Sequence, residues 1–325
     1  MPLQERELIR RIQGQARGIR NQAVLAGIGD DSAVLRLPAA HDALITTDFS
    51  IEGTHFRREW YPAASVGHRC LARGLSDIAA MGGEPVAAFL SLALSPATDQ
   101  KWVDEFFQGL LRLAKQFKVE LAGGDIAEAP LIAADIAVLG QVPKGEALRR
   151  SGAEPGDSIY VTGELGRSAS VLRSLREGQE KVSPKSPDTR PHFYPEPRIE
   201  VGAYLRQRGL ASAAIDISDG LSTDLSHICE ESGVGALLLE TSIPRSVWPP
   251  TFAHHSSALH IALHGGEDYE LLFAAPPKAK ITPRIGKVPI HRIGDIIADK
   301  PRRIFLVDSH GQRKPLTPGG WRHFS

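Results

Sequence analysis

Cysteine is nearly missing from this chain. Cys70 and Cys229 stand far apart and neither belongs to a CxxC pair. That excludes a disulfide scaffold at this size and argues against a cysteine zinc site, so both are read as small buried apolar residues. Aromatic residues are scarce too, at 6%, against 31 glycines, so small side chains must fill much of the interior. Charge of one sign is absent: 38 basic residues balance 38 acidic ones, with no long block of either. A nucleic-acid binder usually carries a basic stripe, and none is expected as a partner here. The longest apolar run, residues 86–94, is too short to span a bilayer. The opening MPLQERELIRRIQ is charged and holds no apolar signal core. The expectation is a cytoplasmic protein without a membrane partner. The usual nucleotide motifs are also missing: no G-x-x-x-x-G-K-[ST], no G-x-G-x-x-G after a strand, no kinase H-R-D or D-F-G set.

What is present is 325 residues, 42% of them hydrophobic, ample for one large core or two ordinary ones. Apolar spacing predicts helices over 3–13, 63–80 and 198–209, and one from a Thr98 cap to about Phe117. In the helix over 63–80, Val66, Cys70, Leu71, Leu75 and Ile78 form the apolar face, and Gly82 and Gly83 end it. Strands are predicted over 43–47, 86–94, 119–122, 131–139 and 158–162. Helices and strands go on alternating to Val307, so the fold class is α/β in layers, with two domains. The polar, turn-rich stretch 143–157 marks the boundary, giving domains 1–142 and 143–325. Residues 181–197 hold five prolines among polar residues, which suits an ordered loop or a flexible flap.

Five times an apolar or glycine-bearing run ends in aspartate: GIGDD (Asp30, Asp31), ITTD (Asp48), GLSD (Asp77), AGGD (Asp125) and DISD (Asp216, Asp219). Any one of these alone reads as a helix cap or turn residue. Together they favour a shared cluster, because a buried carboxylate needs a cation, a donor or solvent. Oxygen ligands without thiolates suit hard cations, Mg²⁺ before Zn²⁺, and Mg²⁺ binds carboxylates together with substrate phosphates. So many acids point to several ions and a polyphosphate such as ATP. His55 follows the ITTD block closely enough to reach a ligand held by the same metal. Glu267 and Asp268 lie on a glycine turn before an apolar strand, a solvated turn or a substrate contact.

Taken in order, GIGDDSAVL, TTDFSIEGTHF, LSDIAAMGG, AGGD, RSGAEPGD, VTGELG, IDISDGLSTDL, GGEDYELLF and the later GWRHF resemble the thiamine-monophosphate kinases. These belong to the ATP-binding superfamily that includes aminoimidazole ribonucleotide synthetase. The resemblance covers residues 27–273 and beyond. It implies phosphorylation of thiamine monophosphate by ATP, with several Mg²⁺. By motif, Asp31, Thr46, Thr47, Asp48, Asp77, Asp125, Asp216 and Asp219 would hold the metal, with Asp30 as an additional ligand. Phe117, Gly124, Asp125, Arg150 and Ser218 would contact ATP. His55, Glu267 and Trp321 would contact the thiamine phosphate, and no covalent or general-base residue is expected. The resemblance also implies a homodimer whose N-terminal sheets pair into a barrel, with the active site between the halves of the fold.

Some positions depart from that pattern. Where the family has GGDT followed by arginine, this chain has Asp125, Ile126, Ala127 and Glu128; Phe117 replaces a tyrosine, Arg167 an aspartate and Gly74 an asparagine. Selenophosphate synthetase would need a cysteine within residues 1–40, and the hydrogenase-maturation carbamoyl dehydratase a C-terminal cysteine; neither is found. Aminoimidazole ribonucleotide synthetase fits GGEDYELLF and TTDFSIEGTHF less well. A non-catalytic sensor of ATP or thiamine phosphate remains the alternative from a different class.

Overall fold

The structure, a computed structural model, describes residues 5–16, 18–28, 32–178, 182–250 and 255–321. The chain divides into two compact units, residues 1–78 with 83–145, and residues 79–82 with 146–325. Among the described residues no helix is long and apolar enough to cross a membrane.

The first unit holds α1 (Glu5–Ala16), β1 (Val24–Ala26), β2 (Val34–Leu35), β3 (His41–Ile51), α2 (Ala63–Ala80), β4 (Glu84–Leu94), α3 (Gln100–Phe117), β5 (Glu120–Glu128) and β6 (Ala133–Pro143). Four strands form a sheet in the order β3-β6-β4-β5, antiparallel except for the β4–β5 pair. Along β3 the pleat sends Leu44, Thr46, Asp48 and Ser50 inward, while Ala43, Ile45, Thr47 and Phe49 are exposed. The apolar face of α2 is buried as its spacing predicts, with Val66, Cys70, Leu71, Leu75 and Ile78 all nearly solvent-free. Helices α2 and α3 meet through glycines: a Cβ at Gly67 would lie 1.9 Å from the Phe106 carbonyl oxygen, and one at Gly109 would lie 1.8 Å from that of Ala64. Gly74 is closely approached too. A Cβ there would meet Val138 Cγ2 at 2.6 Å, so the asparagine of the family pattern would need the Val138 side chain to shift.

One expected cap is corrected. Asp99, not Thr98, caps α3, its carboxylate accepting the Trp102 N–H at 2.8 Å. Thr98 instead shares a 3.0 Å hydrogen bond with the Ser95 hydroxyl.

The second unit holds β7 (Ser158–Thr162), α4 (Arg167–Arg176), α5 (Arg190–Phe193), α6 (Ile199–Gln207), β8 (Ala213–Asp216), α7 (Leu221–Ser232), β9 (Gly235–Leu239), α8 (His255–His264), β10 (Leu271–Ala275), β11 (Arg284–Ile285), β12 (Val288–Ile297), β13 (Ile304–Val307) and β14 (Arg313–Pro315). Its sheet runs β14-β13-β9-β12-β7-β10-β8, with β11 paired to β12. The wholly buried β10 lies antiparallel to both β7 and β8, pairing Leu271 with Asp216 and Leu272 with Val161. That register brings the ends of β7 and β8 beside the start of β10. Ile159, Val161, Ile215, Leu225 and Leu272 are among the side chains of the core beneath.

The proline-rich stretch is ordered over its described part, residues 182–197. Thr189, His192 and Phe193 are completely buried, and His192 Nδ1 shares a 2.8 Å hydrogen bond with the Ser168 hydroxyl. Both cysteines are buried and free, each thiol pushed up to about 12, first of all by burial, so neither is a thiolate at neutral pH.

Candidate active site

In the first unit, Thr46 donates a hydrogen bond to the Asp77 carboxylate, joining β3 to α2. Asp48 lies two residues on, along the same inward face of β3, while the side chain of Thr47 lies on the opposite, exposed face. Asp125, on β5, is exposed and accepts the Ile126 N–H at 2.9 Å. Gly124 sits where β5 runs closest to β4. Its φ is +152°, and a Cβ would stand 1.9 Å from the Leu90 carbonyl oxygen. Phe117 closes α3 and is half-buried. Asp30 and Asp31 lie outside the described residues.

His55 is held by the loop after β3. Its Nδ1 accepts the Ile51 N–H at 3.0 Å, so the proton of the neutral ring is on Nε2. With Ser50, Phe56 and Val66, the ring lines a hollow shared with Arg69 and Arg73. The Arg69 guanidinium lies over the Tyr61 ring, 5.6 Å from its centre, and Arg73 donates to the Phe49 carbonyl. Two of the side chains lining that hollow are thus cationic. The sequence reading missed both arginines. Their signal was there, as two cations four residues apart on α2.

In the second unit, three motif blocks meet at one end of the sheet. The end of β8 carries Asp216 and the turn after it Ser218 and Asp219; the loop before β10 carries Glu267 and Asp268; and a late segment carries Trp321. Glu267 N–H donates to the Ser218 carbonyl at 2.8 Å, and Trp321 N–H to that of Asp219 at 3.1 Å. Glu267 and Tyr269 have φ of +65° and +52°, rare for residues with side chains and characteristic of constrained sites.

Asp224 is the residue that motif reading passed over here. Its carboxylate accepts the N–H groups of Asp219 and Gly220, at 3.2 and 3.0 Å, and so shapes the turn. Burial raises its pKa well above the carboxylate range, and the charges of Asp216 and Asp219 raise it further. Asp268 is half-buried and accepts N–H groups of Gly166 and Ser168 at the start of α4, at 2.7 and 3.1 Å. Burial pushes its carboxyl up to about 7. Arg150 is exposed on the approach to β7, and after burial its charge is the next influence holding His227 below the ordinary histidine range.

Among the described residues no group of three or more His, Cys, Asp or Glu side chains is arranged to hold a metal ion by itself. The donors nevertheless suit Mg²⁺, which keeps several waters and takes one or two carboxylates plus phosphates rather than an all-protein cage. The charges of Asp216 and Asp219 both act on the Asp224 carboxyl, so three acidic groups of this turn lie close together.

Comparison with known proteins supplies a frame for these residues. Residues 29–142 match the family of AIR synthase related proteins, N-terminal domain, and residues 154–306 match its C-terminal domain. A thiamine-monophosphate kinase of Escherichia coli strain K12 is 39% identical over 99% of this chain and 98% of its own length. That of Salmonella typhimurium is 40% identical over 93% of each. The crystal structure of thiamine-monophosphate kinase from Stenotrophomonas maltophilia K279a superposes with a TM-score of 0.81, at 34% identity over 97% of this chain and 99% of that one. The structure of AaThiL complexed with AMPPCP and TMP gives a TM-score of 0.77, at 30% identity over 99% of both chains. Hydrogenase maturation protein HypE in complex with ATP shares the fold, at a TM-score of 0.76 and 18% identity.

Proposed function

The chain belongs to the thiamine-monophosphate kinase family of AIR synthase related proteins, and we propose on that premise that it phosphorylates thiamine monophosphate with ATP. The bond from the γ-phosphorus of ATP to its bridging oxygen breaks, and one from that phosphorus to an oxygen of the acceptor phosphate forms. The products are thiamine diphosphate and ADP. Supporting the reading most directly is the convergence of the ISDG turn, the GGED loop and Trp321 at one sheet end.

Phosphoryl transfer asks for alignment and charge neutralisation rather than covalent help. The acceptor oxygen is already anionic near neutral pH, so no general base is assigned. His55 contacts the acceptor phosphate, at a hollow that it lines together with Arg69 and Arg73. Glu267 and Trp321 orient the thiamine portion. Gly124, Arg150 and Ser218 contact the nucleotide beside Asp125, with Phe117 nearby. Asp31, Thr46, Thr47, Asp48, Asp77, Asp125, Asp216 and Asp219 are the residues that would hold Mg²⁺, which supplies charge neutralisation between the two sets of phosphates. From Thr47 this would come through the main chain, since its hydroxyl lies on the other face of β3.

Incubating purified protein with Mg²⁺, ATP and thiamine monophosphate tests the proposal, with formation of thiamine diphosphate as the expected result. Glu128, exposed where the family pattern has arginine, favours one second reading, a sensor that binds both ligands without turnover. Binding without product would support it. Transfer is direct and in-line, so a chiral γ-phosphoryl group is expected to emerge inverted; retention would mean a phosphoenzyme. The exposed Ile45 and Phe49 on β3 are the proposed homodimer surface.

A further inference from the structure

Taking the kinase reading as its premise, we propose that Thr223 and Ser222 are positioning residues: they clasp the chain at Gly319 and Gly320 and thereby set Trp321 against the acceptor substrate. Both hydroxyls lie in the first turn of α7. Neither is used to cap that helix, because Asp224 already takes the Asp219 and Gly220 N–H groups. Thr223 Oγ1 accepts the Gly320 N–H at 3.1 Å. Ser222 Oγ accepts the Gly319 N–H at 3.3 Å and shares a 2.8 Å hydrogen bond with His264 Nδ1. Trp321 N–H then donates to the Asp219 carbonyl at 3.1 Å. Three consecutive main-chain donors are thus all given to one turn.

The approach is close enough to demand glycine. A Cβ at position 320 would stand 2.1 Å from the Asp219 carbonyl oxygen and 2.6 Å from Thr223 Oγ1, and one at 319 would stand 2.8 Å from His264 Nδ1. What the clasp carries, however, is not packed away: Trp321 is 47% exposed. A tether made for stability would bury the ring. Here the backbone is pinned while the ring stays half in solvent, as suits a binding residue. An indole face suits the cationic thiazolium of thiamine. The carbonyl that receives Trp321 also belongs to Asp219, so the placement of the ring and the geometry of a carboxylate assigned to the metal depend on the same turn.

Steady-state kinetics on the full-length protein test this. Thr223→Val keeps the shape and loses the acceptor. It is expected to raise KM for thiamine monophosphate about fivefold, on the order of one neutral hydrogen bond, with KM for ATP and kcat unchanged. Thr223→Ser is expected to restore KM. Trp321→Ala should raise KM further, and adding Thr223→Val to it should change nothing more, because the clasp acts through the ring. Ser222→Ala, losing the longer contact, gives the same direction and replaces Thr223→Val should that variant fail to fold. An unchanged KM in a folded Thr223→Val protein, or an equal effect of that change with and without Trp321, overturns the proposal. Wild-type protein inert toward thiamine monophosphate would overturn the kinase reading instead.

Discussion

Asp48 lies between Thr46 and Ser50 on the inward face of β3. Asp48→Asn keeps its shape and removes its charge. Turnover is expected to fall on the order of 10²–10³-fold, the usual loss when one electrostatic stabiliser is removed, with the melting temperature unchanged. Near-normal turnover at low Mg²⁺ would remove Asp48 from the metal set. Asp268 makes a prediction about pH. Its folded value of about 7 stands above the roughly 3.9 of an unfolded chain. Between those values the folded protein keeps a proton that the unfolded chain has lost, so the contribution of this group is full below about pH 4 and drains away toward pH 7. Asp268→Asn should therefore gain on wild type in melting temperature as pH rises through that window. Melting curves at stepped pH check this, and a constant difference between the two proteins would refute it.

Elements were legible where the signal is local. The α2 range was read correctly, because its apolar stripe and the glycines that stop it lie within one stretch. β3 was read as 43–47 and in fact pairs with β6 over residues 41–51, since Asp42, Asp48 and Ser50 look like punctuation until a partner strand supplies hydrogen bonds. The α3 cap fell one residue later than expected because the Thr98 hydroxyl is already engaged with Ser95. The crossing of α2 and α3 through Gly67 and Gly109 was invisible, since neither glycine sits at an end or a turn. Gly67→Ala would force a methyl group into the Phe106 carbonyl. Such overpacking costs about 1–3 kcal/mol, which calorimetry should record as a lowered melting temperature.

Across the molecule, the family motifs point to candidate site residues, but their neighbours had to be seen. That β10 lies between β7 and β8, bringing VTGELG, ISDG and GGED together, depends on strand order, which single-sequence periodicity does not encode. Arg69 and Arg73 likewise gain meaning only beside His55. The outer face of β3 belongs to this scale as well. Ile45 and Phe49, 73% and 57% exposed, leave apolar surface on a paired strand of the sheet. Light scattering on an Ile45→Glu, Phe49→Glu double variant is expected to show monomers where wild type shows dimers. A monomeric wild type would remove the proposed interface.

The left-handed backbone at Glu267 and Tyr269 restricts what descent or a mutant library can try in that loop. Glycine, asparagine and aspartate tolerate such angles, whereas valine, isoleucine and threonine do not. Substitutions are therefore closed off through most of the alphabet at 267 and 269. They remain open at Trp321, whose side chain can vary while its main chain stays where the neighbouring glycines have placed it.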